Sequence, residues 1–352
     1  MKKYLLALLL GVSSPLGAAP LDALLDAIPH DRPGTFKLEF GVDAVNKTLD
    51  IFNIRANDPV YGGTNVGDYK GLHLRAGYGL TERLWLEGGL WQRSIAYRTD
   101  TENITSWQTA LQYRLTERNR QEGQYAVRLS LWGNQSPVVN KASPTTLPGI
   151  NLQSVSVRNP QDLQLQADLI GTWPVKDSGF VLSAFAGGGV SRVTTGALSG
   201  MVNGCNYNIY SGNFGTTAIL SAPCGALLSA TLNSPSTAAQ WLSYTSRYYQ
   251  LGGKVQWEQG DWQAALGYQY LFHARDQIDA AIVQRGGVAY KNNHILIAEV
   301  ARRLSRDFTL FARAQVMRNQ FNGEMPFTYN SVTANKFGQL YGFATFGGKL
   351  EF

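Results

Sequence analysis

Charge is scarce in this chain. Asp, Glu, Lys and Arg make up only 16% of its 352 residues. Cysteine occurs twice and histidine four times. Low charge together with 15 Phe, 17 Tyr and 8 Trp excludes a disordered chain, which has few aromatics and much charge. Two cysteines exclude a disulfide-dense scaffold. After the N-terminal stretch no apolar run reaches the ~18 residues of a membrane-spanning helix, which excludes a polytopic helical protein. No Lys/Arg-rich run stands out, so nucleic acid is not an expected partner. The histidines and cysteines show no ligand spacing, so no metal or other cofactor is expected. What is plentiful is Gly, with 37 residues, and apolar residues, at 44%. That mixture points to a large β protein.

The N-terminus indicates the compartment. Met1-Lys2-Lys3 is a short basic stretch, Tyr4 to Val12 is apolar, and small residues end in Gly17-Ala18-Ala19. This pattern predicts a cleaved signal peptide over 1–18, too short to span a bilayer. Its loss leaves 31 − 2 = 29 basic against 25 acidic residues, a net charge of +4. An exported chain is also competent for disulfides. Residues 19–34 form an N-terminal segment, expected to be periplasmic. Leu21, Leu24, Leu25 and Ile28 have helical spacing, and Pro29 and Pro33 stop any helix.

Period-2 alternation picks out twelve segments of about ten residues or more, the length a tilted strand needs to cross a bilayer. They fall at 35–45, 69–80, 84–98, 104–115, 124–134, 161–173, 180–193, 241–257, 261–273, 291–303, 308–320 and 337–352. Tight turns alternate with longer connections, the longest being 46–68, 135–160 and 194–240. The expected fold is therefore all-β: a transmembrane, antiparallel, up-and-down barrel spanning 35–352. Its short turns face the periplasm and its long loops face outward from the cell. Strand phase supports this. Leu163, Leu165, Ala167, Leu169 and Trp173 share one face, while Gln164, Gln166, Asp168 and Thr172 share the other. At the periplasmic end of the apolar face stand Phe36, Tyr113, Tyr125, Trp173, Phe180, Trp257, Trp262, Phe308 and Phe352. Such a ring is an interfacial girdle, which a soluble β-sandwich has no reason to build.

The chain ends Thr345-Phe346-Gly347-Gly348-Lys349-Leu350-Glu351-Phe352. Thr345, Gly347, Leu350 and Phe352 resemble the terminal assembly signal of bacterial outer-membrane β-barrel proteins. The resemblance covers one strand. It implies a Gram-negative outer membrane, with its lipid and lipopolysaccharide as surroundings and the barrel-assembly machinery as a partner in biogenesis.

The inward phase bears on mechanism. It holds Arg75, Arg93, Arg114, Arg128, Gln164, Gln166, Gln269 and Arg313, with Lys37, Lys254, Arg303 and Lys349 beside them. It also holds Glu39, Asp43, Glu87, Asp168, Glu299 and Glu351. One expectation is a narrow channel lined by the first eight residues, passing small polar or anionic solutes. The other is a lumen closed by Arg–carboxylate pairs, the protein then acting through its loops as a surface scaffold. Twelve strands lie between filled and open barrels, so size does not choose. A lipid-modifying hydrolase is a third class. His273 and His294 flank one extracellular loop near Arg275, Asp276 and Asp279, and Ser243 or Ser246 stands nearby. No His-Asp-Ser-Asn-Gly type run of the outer-membrane phospholipases is present, so no catalytic residue is assigned. Cys205 and Cys224 both lie in 194–240 and are expected to pair as a disulfide pinning that loop.

Overall fold

The computed structural model describes residues 33–45, 66–97, 100–117, 123–141, 145–147, 150–212, 215–221, 228–232, 243–276, 279–280, 283, 289, 291–318 and 340–352. The expected signal peptide, nearly all of segment 19–34, and Cys224 lie outside them.

Twelve long strands build the main body: β1 (Phe36–Val45), β2 (Val66–Gly79), β3 (Leu84–Tyr97), β4 (Asp100–Arg114), β5 (Gln124–Gln135), β9 (Gln161–Pro174), β10 (Phe180–Thr194), β15 (Ser243–Gln259), β16 (Trp262–Arg275), β17 (Asn292–Arg303), β18 (Phe308–Arg318) and β19 (Leu340–Glu351). Each pairs antiparallel with its neighbour, and the sheet closes into a barrel. The seam is the β1–β19 ladder, running from Lys37 opposite Glu351 to Ala44 opposite Ala344. Phe36 and Phe352 seal its lower end by exchanging backbone hydrogen bonds of 3.1 and 2.9 Å.

The twelve strands coincide with the twelve expected from alternation. Two segments expected to be loops differ. Residues 135–160 carry β6 (Val138–Lys141), β7 (Thr145–Leu147) and β8 (Ile150–Arg158). Residues 194–240 carry β11 (Ala197–Val202), β12 (Cys205–Gly212), β13 (Gly215–Ser221) and β14 (Leu228–Leu232). Together they form a second, seven-stranded sheet ordered β14-β13-β12-β11-β8-β6, with β7 on β8. These strands have three to nine residues and no sustained apolar alternation, so nothing in the pattern set them apart from Gly/Ser/Thr-rich loop.

Burial alternates along the barrel strands with period 2. In β5 the even positions from Gln124 to Asn134 are buried, and the odd ones from Tyr125 to Leu129 are exposed. The exposed face is apolar: Leu72, Leu169, Leu251 and Leu266 are all more than half exposed. An outer band of this kind suits hydrocarbon, and closure satisfies every ladder group without a free edge. The lower girdle is in place. Phe36 stacks on Phe352 at 6.3 Å and Tyr125 meets Trp173 edge-on at 5.8 Å.

The short turns have local causes. In the β2–β3 turn, Thr81 Oγ1 accepts from the Arg83 and Leu84 amides. In the β9–β10 turn, Asp177 and Gly179 take φ of 57° and 70°. A Cβ at Gly179 would lie 2.6 Å from the Glu258 carbonyl oxygen, so Gly is needed there on two counts. On the inner wall, large rings lie flat over small neighbours. A Cβ at Gly77 or Gly89 would come within 2.4 Å of Trp85 or Trp91, respectively. Such aromatic–glycine pairs hold register in curved sheets.

Candidate functional site

The inward face is polar at mid-height, and its side chains form one connected belt. The chain of contacts starts on β17. Glu299 accepts from Arg313 Nη2 at 2.7 Å and from Lys349 Nζ at 2.5 Å. Arg313, on β18, also reaches Glu39 on β1 at 3.1 Å. Lys349, on the intervening β19, lies 3.8 Å from Glu39. Arg75 of β2 stands 3.8 Å from both Glu39 and Glu87 of β3. Glu87 pairs with Arg128 of β5 at 2.7 Å, across β4, where the opposed residue is Ala110. Arg128 faces Asp168 of β9 in the ladder. Asp168 accepts from Gln166 and from Gln250 of β15, both at 2.6 Å. Gln269 of β16 then donates to Gln250 at 2.6 Å.

Small residues make two of these spans possible. Ala110 leaves the space through which Arg128 reaches Glu87. Gly187 of β10 sits opposite both Asp168 and Gln250, and a Cβ there would overlap the Asp168 carboxylate at 2.0 Å. The belt is charge-balanced: Glu39, Glu87, Asp168 and Glu299 against Arg75, Arg128, Arg313 and Lys349. Its β5–β16 part is buried, with Arg128 1% exposed, Asp168 2% and Gln269 0%, whereas the Glu87 and Lys349 side chains keep 16% and 34% exposure.

A second group adjoins the belt at the seam. His73 of β2 stands between two β1 carboxylates, with Nδ1 3.2 Å from Asp43 and Nε2 3.3 Å from Glu39. Asp43 also accepts from Thr345 Oγ1 across the seam. A Cβ at Gly41 would lie 2.4 Å from the His73 ring, so Gly41 provides the space for it. Toward the long-loop end the inward face continues with aromatic, amide and acidic groups. Trp132 Nε1 donates to Tyr248 Oη at 3.3 Å, and Tyr248 donates to Gln166 at 3.1 Å. Gln164 and Asn134 both donate to Asp162.

All eight residues expected on the inward face lie there. Arg75, Arg128, Gln269 and Arg313 are members of the belt, and Gln166 and Gln164 are tied to it or lie just beyond it. Arg93 lies apart, donating to Ser106 Oγ at 2.9 Å and covering the Trp91 ring. Arg114 is at the short-turn end and donates to the Glu82 carbonyl. Of the terminal signal, Thr345 and Gly347 face inward, while Leu350 pairs opposite Leu38 and Phe308. The His273/His294 grouping does not form. His273 is inward and buried, whereas His294 is exposed on the outer face, hydrogen-bonded to Tyr268 Oη at 2.8 Å. They stand on opposite faces because 21 residues separate them and each strand's phase fixes its own side. Ser246 Oγ does lie 3.5 Å from His273 Nδ1, yet both residues are buried, at 0% and 2% exposure. Cys205 opens β12; its expected partner lies outside the described residues.

Tyr248 and Trp132 are inward residues that the sequence reading passed over. Tyr244, Ser246, Tyr248 and Gln250 share the buried phase of β15, and that alternation is the signal for Tyr248.

No protein-family model matches the chain, and no curated relative is found. Solved structures do match. The chain is similar to the translocator domain of the autotransporter NalP from Neisseria meningitidis, with TM-score 0.50 and 9% identity over 94% of this chain and 93% of that one. It is also similar to the beta domain of the Bordetella autotransporter BrkA, with TM-score 0.45 and 11% identity over 92% and 100%. A third is a monoaromatic hydrocarbon channel, a TodX variant, with TM-score 0.46 and 10% identity over 96% and 95%. The first of these, at TM-score 0.50, together with the closed twelve-strand barrel, gives the fold as that of the outer-membrane β-barrels.

Proposed function

We propose that this protein is a Gram-negative outer-membrane barrel that works as a narrow, gated channel for small polar solutes, with the ionic belt as its gate. The observation that carries this reading is the belt itself. Buried ion pairs are a poor way to fill a permanently closed core, because apolar side chains of like volume are often as stable or more so. Charged residues that can exchange partners or take up water suit a lumen that opens. Every belt cation has a carboxylate on a neighbouring strand or one strand further, so a modest rearrangement re-pairs it. Within the belt, the equal count of carboxylates and cations offsets the anion bias suggested by the arginines alone. It favours neutral polar solutes, which the Gln amides can hydrogen-bond. Planar-bilayer recording of refolded protein tests this. Rare openings are expected from the wild type, and more frequent or larger ones from Arg128→Gln. A silent wild type and a silent variant, both with intact barrels, would overturn it.

One observation favours a second reading. The seven-stranded sheet built from the two long extracellular connections is a larger structure than a channel mouth requires. A closed barrel displaying that sheet to a partner would give no current in either protein.

A further inference from the structure

Between the belt and the long loops, the inner wall carries a further tier of polar groups. Trp132 of β5 lies opposite Gln164 of β9, Gln164 lies opposite Ser191 of β10, and Asn134 lies opposite Asp162. All five face inward and are at most 3% exposed. Asp162 sets the polarity of the tier, because an ionised carboxylate only accepts. One of its oxygens takes Asn134 Nδ2 at 2.5 Å and the other takes Gln164 Nε2 at 2.8 Å. With its amide nitrogen turned to Asp162, Asn134 presents its carbonyl oxygen. That Oδ1 is buried and has no hydrogen-bond partner among the described residues. The Ser191 hydroxyl is likewise buried and without a partner among them. Buried polar atoms are nearly always hydrogen-bonded, so two orphans in one tier point to a guest that brings its own donors and acceptors.

On the belt side of these groups stands an aromatic floor. Trp132 Nε1 donates to the Tyr248 hydroxyl at 3.3 Å, and that hydroxyl donates to Gln166. Gln166 in turn donates to Asp168 of the belt. Gly189 lets Tyr248 cross β10, since a Cβ there would lie 2.6 Å from the Tyr248 hydroxyl oxygen. Charge narrows the choice of guest. The Asp162 carboxylate opposes an anion. Arg93, bonded to Ser106 directly opposite Asn134, sets a guanidinium on the flank and opposes a cation. Acceptors and a free hydroxyl above a flat apolar floor suit an uncharged molecule with several hydroxyls and an apolar C–H face, which is the chemistry of a sugar ring.

We propose that Asn134, Asp162 and Ser191, over the Trp132–Tyr248 floor, bind an uncharged monosaccharide unit. The inference makes the polar solute of the channel reading a sugar. It rests on that reading for entry, because the tier is closed at rest.

Two measurements on the refolded full chain test it: saturation-transfer NMR in detergent for binding, and planar-bilayer recording for current. The probes are glucose, the anionic glucuronate and the cationic glucosamine, which vary charge on one ring. Wild type is expected to bind glucose in preference to both charged sugars, and glucose should interrupt its openings. Ser191→Ala and Asn134→Ala should each weaken glucose binding about fivefold, the scale of one lost hydrogen bond. A heat-shifted gel band reports that each variant is folded, and Ser191→Ala removes a hydroxyl that holds nothing else in place. Absence of glucose binding, or equal binding by wild type and both variants, would overturn the site; a wild type that still conducts would then keep the channel reading. Glucose binding that both variants weaken, in a barrel that never conducts, would keep the site and sink the channel reading. Preference for glucuronate or glucosamine would overturn the proposal in favour of a charged solute.

Discussion

Arg313 donates to Glu39 at 3.1 Å although β19 lies between their strands, so this ion pair spans the seam where the barrel closes. Glu39 is also approached by Lys349, Arg75 and His73, from β19 and β2. The seam is thereby joined by side chains as well as by its backbone ladder. Removing one partner of a buried pair leaves the other charge uncompensated. Glu39→Gln is expected to lower stability by roughly 3 kcal/mol, because Arg313 keeps Glu299. Urea unfolding in lipid vesicles measures this. The double variant Glu39→Gln/Arg313→Gln should recover part of the loss, since it also removes the positive charge that Glu39 balances. Loss in the double variant equal to the sum of the singles would show that the pair has no coupling.

His73 adds a dependence on pH. Its two ring nitrogens each face a carboxylate, and an ionised carboxylate offers only acceptors. A neutral ring has one N–H, so it leaves a bare nitrogen against an oxygen. The arrangement therefore calls for the doubly protonated ring. The groups around it are Asp43 and Glu39 on β1, Arg75 on β2, Thr345 and Lys349 on β19, and Arg93 and the Trp91 ring on β3. Raising the pH until His73 loses a proton should weaken the seam contacts and increase channel opening in planar bilayers. His73→Gln should flatten that pH response. A response of unchanged size in His73→Gln would assign it to another group.

Ser246 and His273 have the residue types of a nucleophile and its base, and 3.5 Å is within loose hydrogen-bond reach. Their burial argues against catalysis. A fluorophosphonate probe should leave Ser246 unlabelled in the folded barrel. Labelling that is lost in His273→Ala would establish a working dyad and restore the hydrolase class.

Much of the fold was legible in the sequence because two solvents act on each strand. Hydrocarbon outside and polar groups inside impose period 2, so Leu163 and Gln164 alternate whatever the rest of the chain does. The belt was legible only as a set of inward residues. Its pairings depend on closure: Glu39 and Arg313 are 274 positions apart, and no local pattern links them. The spaces at Ala110 and Gly187 that let Arg128 and Asp168 find their partners are equally non-local. The second sheet was hidden for another reason. Its strands are short and lie off the closed barrel, where no two-sided wall forces alternation.

Cys205 opens β12, and Cys224, its expected partner, follows β13 in the sequence, outside the described residues. Protein recovered from the outer membrane should resist alkylation until it is reduced. Reduction should then expose the 194–240 region to limited proteolysis while the heat-shifted barrel band persists, because the barrel ladders do not run through either cysteine. Alkylation of both thiols without reductant would show that the sheet holds together without a bridge.

Phe352 stacks on Phe36 and closes the lower seam through two backbone hydrogen bonds. Its role in the finished barrel is local: the ring is 67% exposed on the outer face. Deleting Phe352 removes those two seam bonds, each worth about 1 kcal/mol, so a purified, refolded barrel should lose only about 2 kcal/mol. Assembly in cells should suffer far more if the terminal residues are what the assembly machinery reads. The expected outcome is a steep fall in the amount of heat-shifted protein in the outer membrane, beside near-normal refolding into vesicles. Phe352→Tyr, which keeps an aromatic ring at the position, should restore most of the cellular yield. Equal losses in cells and in vesicles would make Phe352 a structural residue alone.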